Sequence, residues 1–342
     1  MPHAEILPTH TPVLFNAAVE RAADALRRGE LVALPTETVY GLAANAFDES
    51  AVQRIFQIKG RPADNPIIVH VADLALARRC AADWPELANK LSAAFWPGPL
   101  TLVVDRSSEI PNVVTAGGNT VGVRWPSHPF MQAVIRACGF PLAAPSANRS
   151  NEISPTNAEH VVRSLRERIP LIIDGGQSNV GIESTVLDIT VTPPRVLRPG
   201  MIYEESLIAV TGALNSHAAA SDSTLRSPGQ LRKHYAPKAR LVILGWRDED
   251  DFHVELARVL KEQHLRAAPE RTFVIAHTHI PLGANIGRVS VIPHDAEAFA
   301  RAIYSELHLC DEANAELIVV EAIPSGAAWN AIADRLNRAA AH

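Results

Sequence analysis

Two cationic side chains lie two residues apart in the stretch KGRPADN. Gly60 is a plausible end for the preceding helix, and Pro62 restricts Arg61 to an extended backbone. Because side chains two apart on an extended backbone point the same way, Lys59 and Arg61 are expected to converge, with the Asn65 amide beside them. Such a group can bind phosphate or carboxylate. Taken alone, the stretch is equally well interpreted as a solvated basic turn.

Two further arginines stand at the ends of predicted strands. Arg124 closes the apolar run TVGVR, and Arg198 precedes the Pro-Gly turn of LRPG. An arginine is rarely buried without an anion, so Arg124 requires either a ligand carboxylate or an acidic side chain of the protein. With Lys59 and Arg61 these residues make four cations with few carboxylates nearby. The set suits a polyanionic ligand such as a nucleoside triphosphate.

The stretch PTETVY offers hydroxyl groups beside another predicted strand. On an extended backbone Thr36, Thr38 and Tyr40 share one face, and Glu37 points to the opposite face. An ordinary strand edge would show the same pattern, so this stretch indicates a ligand site only in combination with the other polar strand ends.

Serine and asparagine side chains complete these strand ends. Ser146 and Asn148 lie two apart in APSAN, and Ser184 opens the predicted strand STVLDI. Ser154 could serve the same site, or it could cap the helix that Pro155 begins. In open α/β sheets, ligands bind at strand ends of this kind.

Short apolar runs alternate with amphipathic stretches along the first two-thirds of the chain, which predicts an α/β fold. Strands are expected at 31–37, 66–71, 100–105, 120–125, 141–147, 171–174, 184–189 and 195–198. Helices are expected at 14–28, 49–59, 85–95, 128–138 and 156–168, the last opened by a capping box at Thr156. Many strand runs end in proline or polar residues, so a mixed sheet is expected rather than a doubly wound one.

The composition of the sequence changes near residue 211, where small polar residues without periodicity predict a linker. A second βα pattern follows, with strands at 240–244, 272–276, 290–293 and 317–322 and helices at 249–265, 295–309 and 326–341. We therefore expect three parts: a first α/β domain over 1–211, a linker over 212–239 and a small parallel α/β domain over 240–342. The last contains no GxGxxG motif, so no dinucleotide site is expected there.

The composition argues against several classes of protein. A net charge of −5 does not suit a general nucleic-acid-binding surface. Three scattered cysteines argue against a disulfide framework and favour a reducing, cytoplasmic location. No apolar run approaches about 18 residues, so no membrane span is expected. His277 and His279 flank one threonine without a third ligand nearby, which favours an exposed loop over a metal site.

Seven blocks in order resemble the YrdC-like domain of the L-threonylcarbamoyladenylate synthases: LPTETVYGL, KGRPADNPIIVHV, FWPGPLTLVV, TVGVRWPSHP, LAAPSANRS, GIESTVLD and LRPG. SPGQLRKHYAP and the region after it resemble the long, two-domain form of that family. The resemblance implies a twisted mixed sheet with helices around a basic concave cleft, followed by a Rossmann-like domain. Asn151 stands where the family often has glycine, and asparagine tolerates left-handed backbone better than most residues.

The resemblance also implies a role for each matching residue. Contacts to ATP are implied for Lys59, Arg61, Asn65, Thr120, Ser146, Asn148, Ser154, Arg198 and Tyr235. Contacts to L-threonine are implied for Thr38, His70, Arg124, Ser184 and the backbone at Ala144. Lys59 and Arg61 would act in catalysis by neutralising charge, and no protein side chain is assigned to a metal. His70, inside an apolar strand, could read the threonine hydroxyl or could simply be a satisfied core histidine.

The implied reaction joins L-threonine, bicarbonate and ATP, with Mg²⁺ on the triphosphate, to give threonylcarbamoyl-AMP and pyrophosphate. The product would pass to the machinery that builds threonylcarbamoyladenosine at position 37 of tRNAs reading ANN codons. The linker is expected to act as a lid that keeps water from the carbamate, because carbamates and mixed anhydrides hydrolyse. Direct binding of tRNA is left open.

Two rival functions use the same basic cleft. A double-stranded-RNA-binding module would need cations spread along a surface rather than gathered at strand ends. A carbamoyltransferase that forms a carbamoyl-adenylate would add acylphosphatase or zinc-binding modules, which the chain lacks. A threonine requirement for pyrophosphate release separates the three functions.

Overall fold

The computed structural model describes residues 4–215, 235–281 and 286–341. By their contacts these residues form two compact units. The first contains 4–150 and 154–215, and the second contains 151–153, 235–281 and 286–341.

The first unit is built on a ten-stranded sheet with the order β1-β8-β2-β3-β7-β4-β6-β5-β9-β10. Its strands are β1 (Glu5–Pro8), β2 (Val32–Leu34), β3 (Gly41–Asn45), β4 (Val69–His70), β5 (Leu100–Asp105), β6 (Thr120–Arg124), β7 (Leu142–Ala143), β8 (Leu171–Asp174), β9 (Thr185–Asp188) and β10 (Arg195–Arg198). Parallel and antiparallel pairs alternate irregularly: β4 pairs parallel with β6, whereas β5 pairs antiparallel with β6 and parallel with β9. The predicted mixed sheet is confirmed.

Seven helices in the described residues of this unit pack around the sheet. They are α1 (Pro12–Arg27), α2 (Glu49–Lys59), α3 (Leu74–Cys80), α4 (Glu86–Phe95), α5 (Pro129–Cys138), α6 (Ala158–Leu165) and α7 (Glu204–Thr211). Their apolar faces and the sheet bury a core of mostly aliphatic side chains, as the low aromatic content requires.

Sequence periodicity locates the long elements and misses several short ones. The strands at 100–105, 171–174 and 195–198 and the helix at 49–59 have the predicted bounds. The strand predicted over 31–37 ends at Leu34, because residues 37–39 form a bend. β1, β3, α3 and α7 were not predicted, since elements of four to eight residues show too little periodicity.

The capping box predicted at Thr156 is wrong by one residue. Asn157 is the N-cap of α6, and its side chain accepts a hydrogen bond from the backbone N–H of His160 at 2.9 Å. Thr156 is buried instead and lies 3.3 Å from the Nδ1 atom of His160.

The second unit is a four-stranded parallel sheet with the order β11-β14-β12-β13. Its strands are β11 (Arg240–Leu244), β12 (Thr272–Ala276), β13 (Arg288–Val291) and β14 (Leu317–Glu321). Its helices are α8 (Glu249–Glu262), α9 (Ala296–Glu312) and α10 (Asn330–Ala340), with short 3₁₀ turns at Pro269–Arg271 and Ala327–Trp329. The predicted small parallel α/β domain is confirmed.

Most of the predicted linker, residues 216–234, lies outside the described residues, and so does most of the SPGQLRKHYAP motif. Within the described residues, no helix is both long enough and apolar enough to cross a membrane. Cys80, Cys138 and Cys310 are all free thiols, as their spacing predicts.

Candidate active site

Lys59 is the last residue of α2, and Gly60 ends the helix with a left-handed backbone (φ 61°), as the sequence predicts. The lysine is only 3% exposed. Its Nζ donates to the carbonyl oxygen of Ser146 at 2.6 Å and to that of Asn148, and it lies 3.3 Å from Asn148 Oδ1. Ser146 Oγ in turn donates to Asn148 Oδ1 at 2.6 Å. The structure therefore brings Lys59, Ser146 and Asn148 together, although they are separated by almost 90 residues of chain.

Arg61 is held by the loop that follows it. Its Nε donates to the Asn65 carbonyl at 2.9 Å, and one terminal nitrogen donates to Asn65 Oδ1 at 2.7 Å and to the Pro66 carbonyl at 2.6 Å. Only 8% of the residue is exposed. The predicted neighbourhood of Arg61 and Asn65 is confirmed, and the guanidinium is fixed before any ligand arrives.

Arg124 is paired with an acid of the protein. One terminal nitrogen lies 2.7 Å from a carboxylate oxygen of Glu37, and the other donates to Thr38 Oγ1 at 2.9 Å. The prediction that Glu37 and Thr38 point to opposite faces is therefore wrong. The backbone bends at residues 37–39 because Thr36 Oγ1 accepts hydrogen bonds from the N–H groups of Thr38 and Val39.

The carboxylate of Glu37 is ionised despite its burial. Burial alone raises the pKa of Glu37, but the Arg124 guanidinium and the Ser127 backbone amide outweigh it and hold this pKa below its usual value. The site thus contains a buried anion among its cations.

His70 is the neighbour of Arg124 in the sheet, since β4 and β6 pair these two residues. Its ring is buried, and among the described residues Nδ1 has no hydrogen-bond partner. Burial, aided by the positive charge of Arg124, lowers the pKa of His70 to about 3. The imidazole is therefore neutral.

This shift predicts that acid destabilises the first unit. An unfolded histidine titrates near pH 6.5, whereas folded His70 titrates near 3. The stabilising effect of the neutral ring is complete above about pH 6.5 and is lost as the pH falls towards 3. Between pH 7 and 5 the free energy of unfolding should drop by about 2 kcal/mol through this group.

The measurement is denaturant unfolding of the wild type and His70→Asn at both pH values. The variant should lose that part of the pH dependence, whereas His253→Asn, which changes an exposed histidine on α8, should keep it. Equal pH dependence in wild type and His70→Asn would show that His70 titrates normally.

Arg198, Ser184 and Thr101 form a third buried group. Arg198 donates through Nε to the Ser184 carbonyl at 3.0 Å and through a terminal nitrogen to Ser184 Oγ at 3.1 Å. Thr101 Oγ1 lies 2.8 Å from the same serine hydroxyl. Gly200 is required in this turn, because a Cβ there would lie 2.3 Å from the backbone nitrogen of Thr185.

The segment Gly98-Pro99 lies between the Arg124 group and the Arg198 group. The Gly98 carbonyl is 3.4 Å from Arg124 Nε, and the Pro99 carbonyl accepts from the Thr185 N–H at 3.0 Å. The block FWPGPL thus places the two arginine groups on either side of one short loop.

Ser154 contacts a second carboxylate. Its hydroxyl donates to Glu183 at 2.6 Å, and both side chains are buried. It therefore does not cap a helix. Of these two carboxylates, Glu37 is the one that lies beside a predicted cation, Arg124.

Thr120 and Arg124 occupy opposite ends of β6. Thr120 pairs with Asp105, whereas Arg124 stands beside His70. Four residue steps along the strand join them, a distance of about 13 Å. Ala144, at the end of β7, donates its backbone N–H to Ile68 at 3.1 Å. The residues implied for ATP and for threonine are thus spread along the sheet rather than gathered at one strand end.

Tyr235 belongs to the second unit. It is buried, with its ring 5.3 Å below the guanidinium of Arg335 and 5.9 Å from the ring of Tyr304. His277 is not in an exposed loop as predicted: its side chain is only 3% exposed, and its ring packs near Trp329. No group of three His, Cys, Asp or Glu side chains placed to hold a metal occurs in the described parts of either unit.

Comparison with known proteins covers nearly the whole chain. A family model described as telomere recombination (Sua5, YciO and YrdC) matches residues 24–200, and a model of the threonylcarbamoyl-AMP synthase C-terminal domain matches residues 199–341. A threonylcarbamoyl-AMP synthase of Pyrococcus abyssi is 39% identical, covering 94% of this chain and 93% of the relative. One of Bacillus subtilis is 40% identical, with 94% and 92% covered.

Solved structures agree with these matches. A crystal structure of Pyrococcus abyssi Sua5 complexed with L-threonine has a TM-score of 0.88 and 37% identity, and the match covers 98% of both chains. These findings agree. The two domain models match consecutive parts of the chain, the relatives match it almost from end to end, and the fold is shared. The chain belongs to the threonylcarbamoyl-AMP synthase family, in its long two-domain form.

Proposed function

We propose that this chain makes L-threonylcarbamoyl-AMP from L-threonine, bicarbonate and ATP, releasing pyrophosphate and water. The observation that carries the proposal is that Lys59, Arg61, Arg124 and Arg198 are all buried and held in fixed positions in the first unit. Buried cations held in fixed orientations suit the binding of phosphate and carboxylate groups. ATP and threonine supply such groups.

The triphosphate is assigned to the polar groups around Lys59 and Arg61. The ATP-binding residues we propose in the first unit are Lys59, Arg61, Asn65, Thr120, Ser146, Asn148, Ser154 and Arg198. Lys59 and Arg61 would neutralise the charge that shifts to the leaving pyrophosphate. Mg²⁺ would be held by phosphate oxygens and water.

Threonine is assigned to the groups around Arg124. We propose that Arg124 and Ser184 bind its carboxylate, that Thr38 and His70 contact its hydroxyl, and that Ala144 contributes backbone. Neutral His70 can both donate and accept, so it can distinguish a hydroxyl from a methyl group. Arg198 contacts Ser184 and so stands where the two substrates would meet.

The chemistry then needs alignment rather than a nucleophilic side chain. Bicarbonate takes up a proton and loses water to give CO₂. The threonine ammonium loses a proton, and the free amine adds to the carbon of CO₂ and releases a second proton, which gives the carbamate. A carbamate oxygen next attacks the α-phosphate of ATP, and the bond to pyrophosphate breaks. Holding carbamate and α-phosphate in contact supplies most of the acceleration.

We further propose that the product supplies the tRNA-modifying machinery in the cytoplasm and that the catalytic domain is residues 1–211. The carbamoyltransferase alternative is weaker, because the second half of the chain matches the synthase C-terminal domain. The RNA-binding alternative is weaker because the cations are buried.

The test is a pyrophosphate-release assay in which threonine, bicarbonate or ATP is omitted in turn. Release should require all three, and the AMP product should carry a threonylcarbamoyl group by mass spectrometry. Release without threonine would favour a carbamoyltransferase, and no release with any combination would contradict the proposal.

A further inference from the structure

The substrate amine changes its charge during the proposed reaction. Threonine arrives with a positive ammonium group and becomes a negative carbamate. The overall step is R-NH₃⁺ + HCO₃⁻ → R-NH-COO⁻ + H₂O + H⁺, which balances in atoms and charge. A site built for this step needs a group that attracts the ammonium and does not hold the carbamate.

Glu37 has the position and charge for such a group. The residue is 5% exposed, and its carboxylate lies 2.7 Å from Arg124, beside Thr38. The backbone around it is firmly held: the Val180 N–H donates to the Glu37 carbonyl at 2.7 Å, and the turn at Thr36 fixes the bend. Its side chain is therefore aimed at Arg124 and cannot easily swing to solvent.

The acceptor capacity of Glu37 is not filled. A carboxylate can accept about four hydrogen bonds. The Glu37 carboxylate lies beside the Arg124 guanidinium and the backbone amides of Ser127 and of Glu37 itself, yet among the described residues neither oxygen has a partner in good hydrogen-bond geometry. Leaving a buried charge in this state is unfavourable. A ligand ammonium would supply the missing donors.

A second buried ion pair in the same unit shows the contrast. Asp188 lies 3.3 Å from Arg195 and is fully buried. Its carboxylate also accepts hydrogen bonds from the Thr190 hydroxyl at 2.6 Å and the Thr190 N–H at 3.0 Å. The Asp188 carboxylate thus accepts hydrogen bonds of good geometry within the fold, whereas neither oxygen of Glu37 has one among the described residues.

We propose that Glu37 binds the α-ammonium of L-threonine while Arg124 binds its α-carboxylate, so that this ion pair recognises the amino-acid zwitterion. The inference rests on the proposed function and adds a substrate-binding residue to it. Once the amine has become a carbamate, Glu37 repels the new anion. The carbamate is then drawn towards the cations that hold the triphosphate.

The test compares L-threonine with two analogues by calorimetry without ATP: 3-hydroxybutanoate of matching configuration, which lacks the ammonium, and L-threoninamide, which lacks the carboxylate charge. The wild type should bind threonine about 100-fold more tightly than 3-hydroxybutanoate. In Glu37→Gln this ratio of affinities should fall to about 3 or less. The loss of affinity when threonine is replaced by threoninamide should stay as in the wild type. Asp188→Asn, the matched control, should keep the wild-type ratios.

A Glu37→Gln variant that keeps the 100-fold preference would overturn the proposal. If Glu37→Gln does not fold, the affinities of the wild type still test the proposal. Equal affinity for threonine and 3-hydroxybutanoate would rule out a carboxylate that binds the ammonium. Glu37→Asp should then show an intermediate ratio. A wild type that binds no threonine, or releases pyrophosphate without it, would contradict the proposed function itself, which is a separate result.

Discussion

Replacing Lys59 by alanine should lower threonine-dependent pyrophosphate release about 1000-fold. The lysine is the buried cation that contacts both the Ser146 and the Asn148 carbonyls, so its loss removes a positive charge and frees the loop that carries two proposed ATP ligands. The effect should appear in kcat as well as in the KM for ATP, because charge on the leaving pyrophosphate grows in the transition state. The measurement is steady-state kinetics at saturating threonine and bicarbonate.

Two further variants separate charge from structure. Lys90→Ala removes an exposed lysine on α4 and should leave the rate unchanged. Lys59→Arg keeps the charge but cannot reproduce the compact ammonium between the carbonyls, so it should recover only a small part of the activity. Thermal unfolding of each variant checks that the loss is not simply unfolding. A folded Lys59→Ala with a near-normal rate would rule out the role assigned to this lysine.

The positions of Lys59, Arg61, Ser146 and Asn148 beside turns were predictable because strand ends and prolines mark turns in any sequence. Their partners were not. The hydrogen bonds from Lys59 to the loop after β7 join residues almost 90 positions apart, and such a contact depends on strand order rather than on local pattern. The rule that ligands bind at strand ends grouped these blocks into one site, and the resemblance to a family gave each residue its role.

Glu37 was assigned to the wrong face because the argument assumed a continuous strand through residue 37. Alternation of side chains holds only while the backbone stays extended. Here the Thr36 hydroxyl accepts two backbone N–H groups and bends the chain, which turns both Glu37 and Thr38 towards Arg124. Threonine often forms turns of this kind, so PTET also favours a turn at this position. The strand prediction gave more weight to the β-propensity of the threonines. The need of Arg124 for an anion was recognised, and the acidic side chain of the protein proved to be one answer.

Arg61→Ala should lower kcat/KM for ATP about 1000-fold while changing the KM for threonine little. Arg61 makes three hydrogen bonds to the loop formed by Asn65 and Pro66, which hold its guanidinium in one orientation. A fixed fork of donors binds phosphate oxygens with little loss of entropy on binding. Arg61→Lys, which retains charge without the fork, should lose about 30- to 100-fold. The matched control is Arg136→Ala, an exposed arginine on α5.

Asn65 orients Arg61, because its carbonyl and its side-chain oxygen both accept hydrogen bonds from the guanidinium. If Asn65 acts through Arg61, the double variant Arg61→Ala/Asn65→Ala should be hardly slower than Arg61→Ala alone, whereas independent roles would multiply the two losses. Steady-state kinetics of the four proteins in this cycle measures the difference. An Arg61→Ala enzyme with an unchanged kcat/KM for ATP would place the triphosphate elsewhere, since a bound polyanion cannot lose a buried, oriented guanidinium without weaker binding.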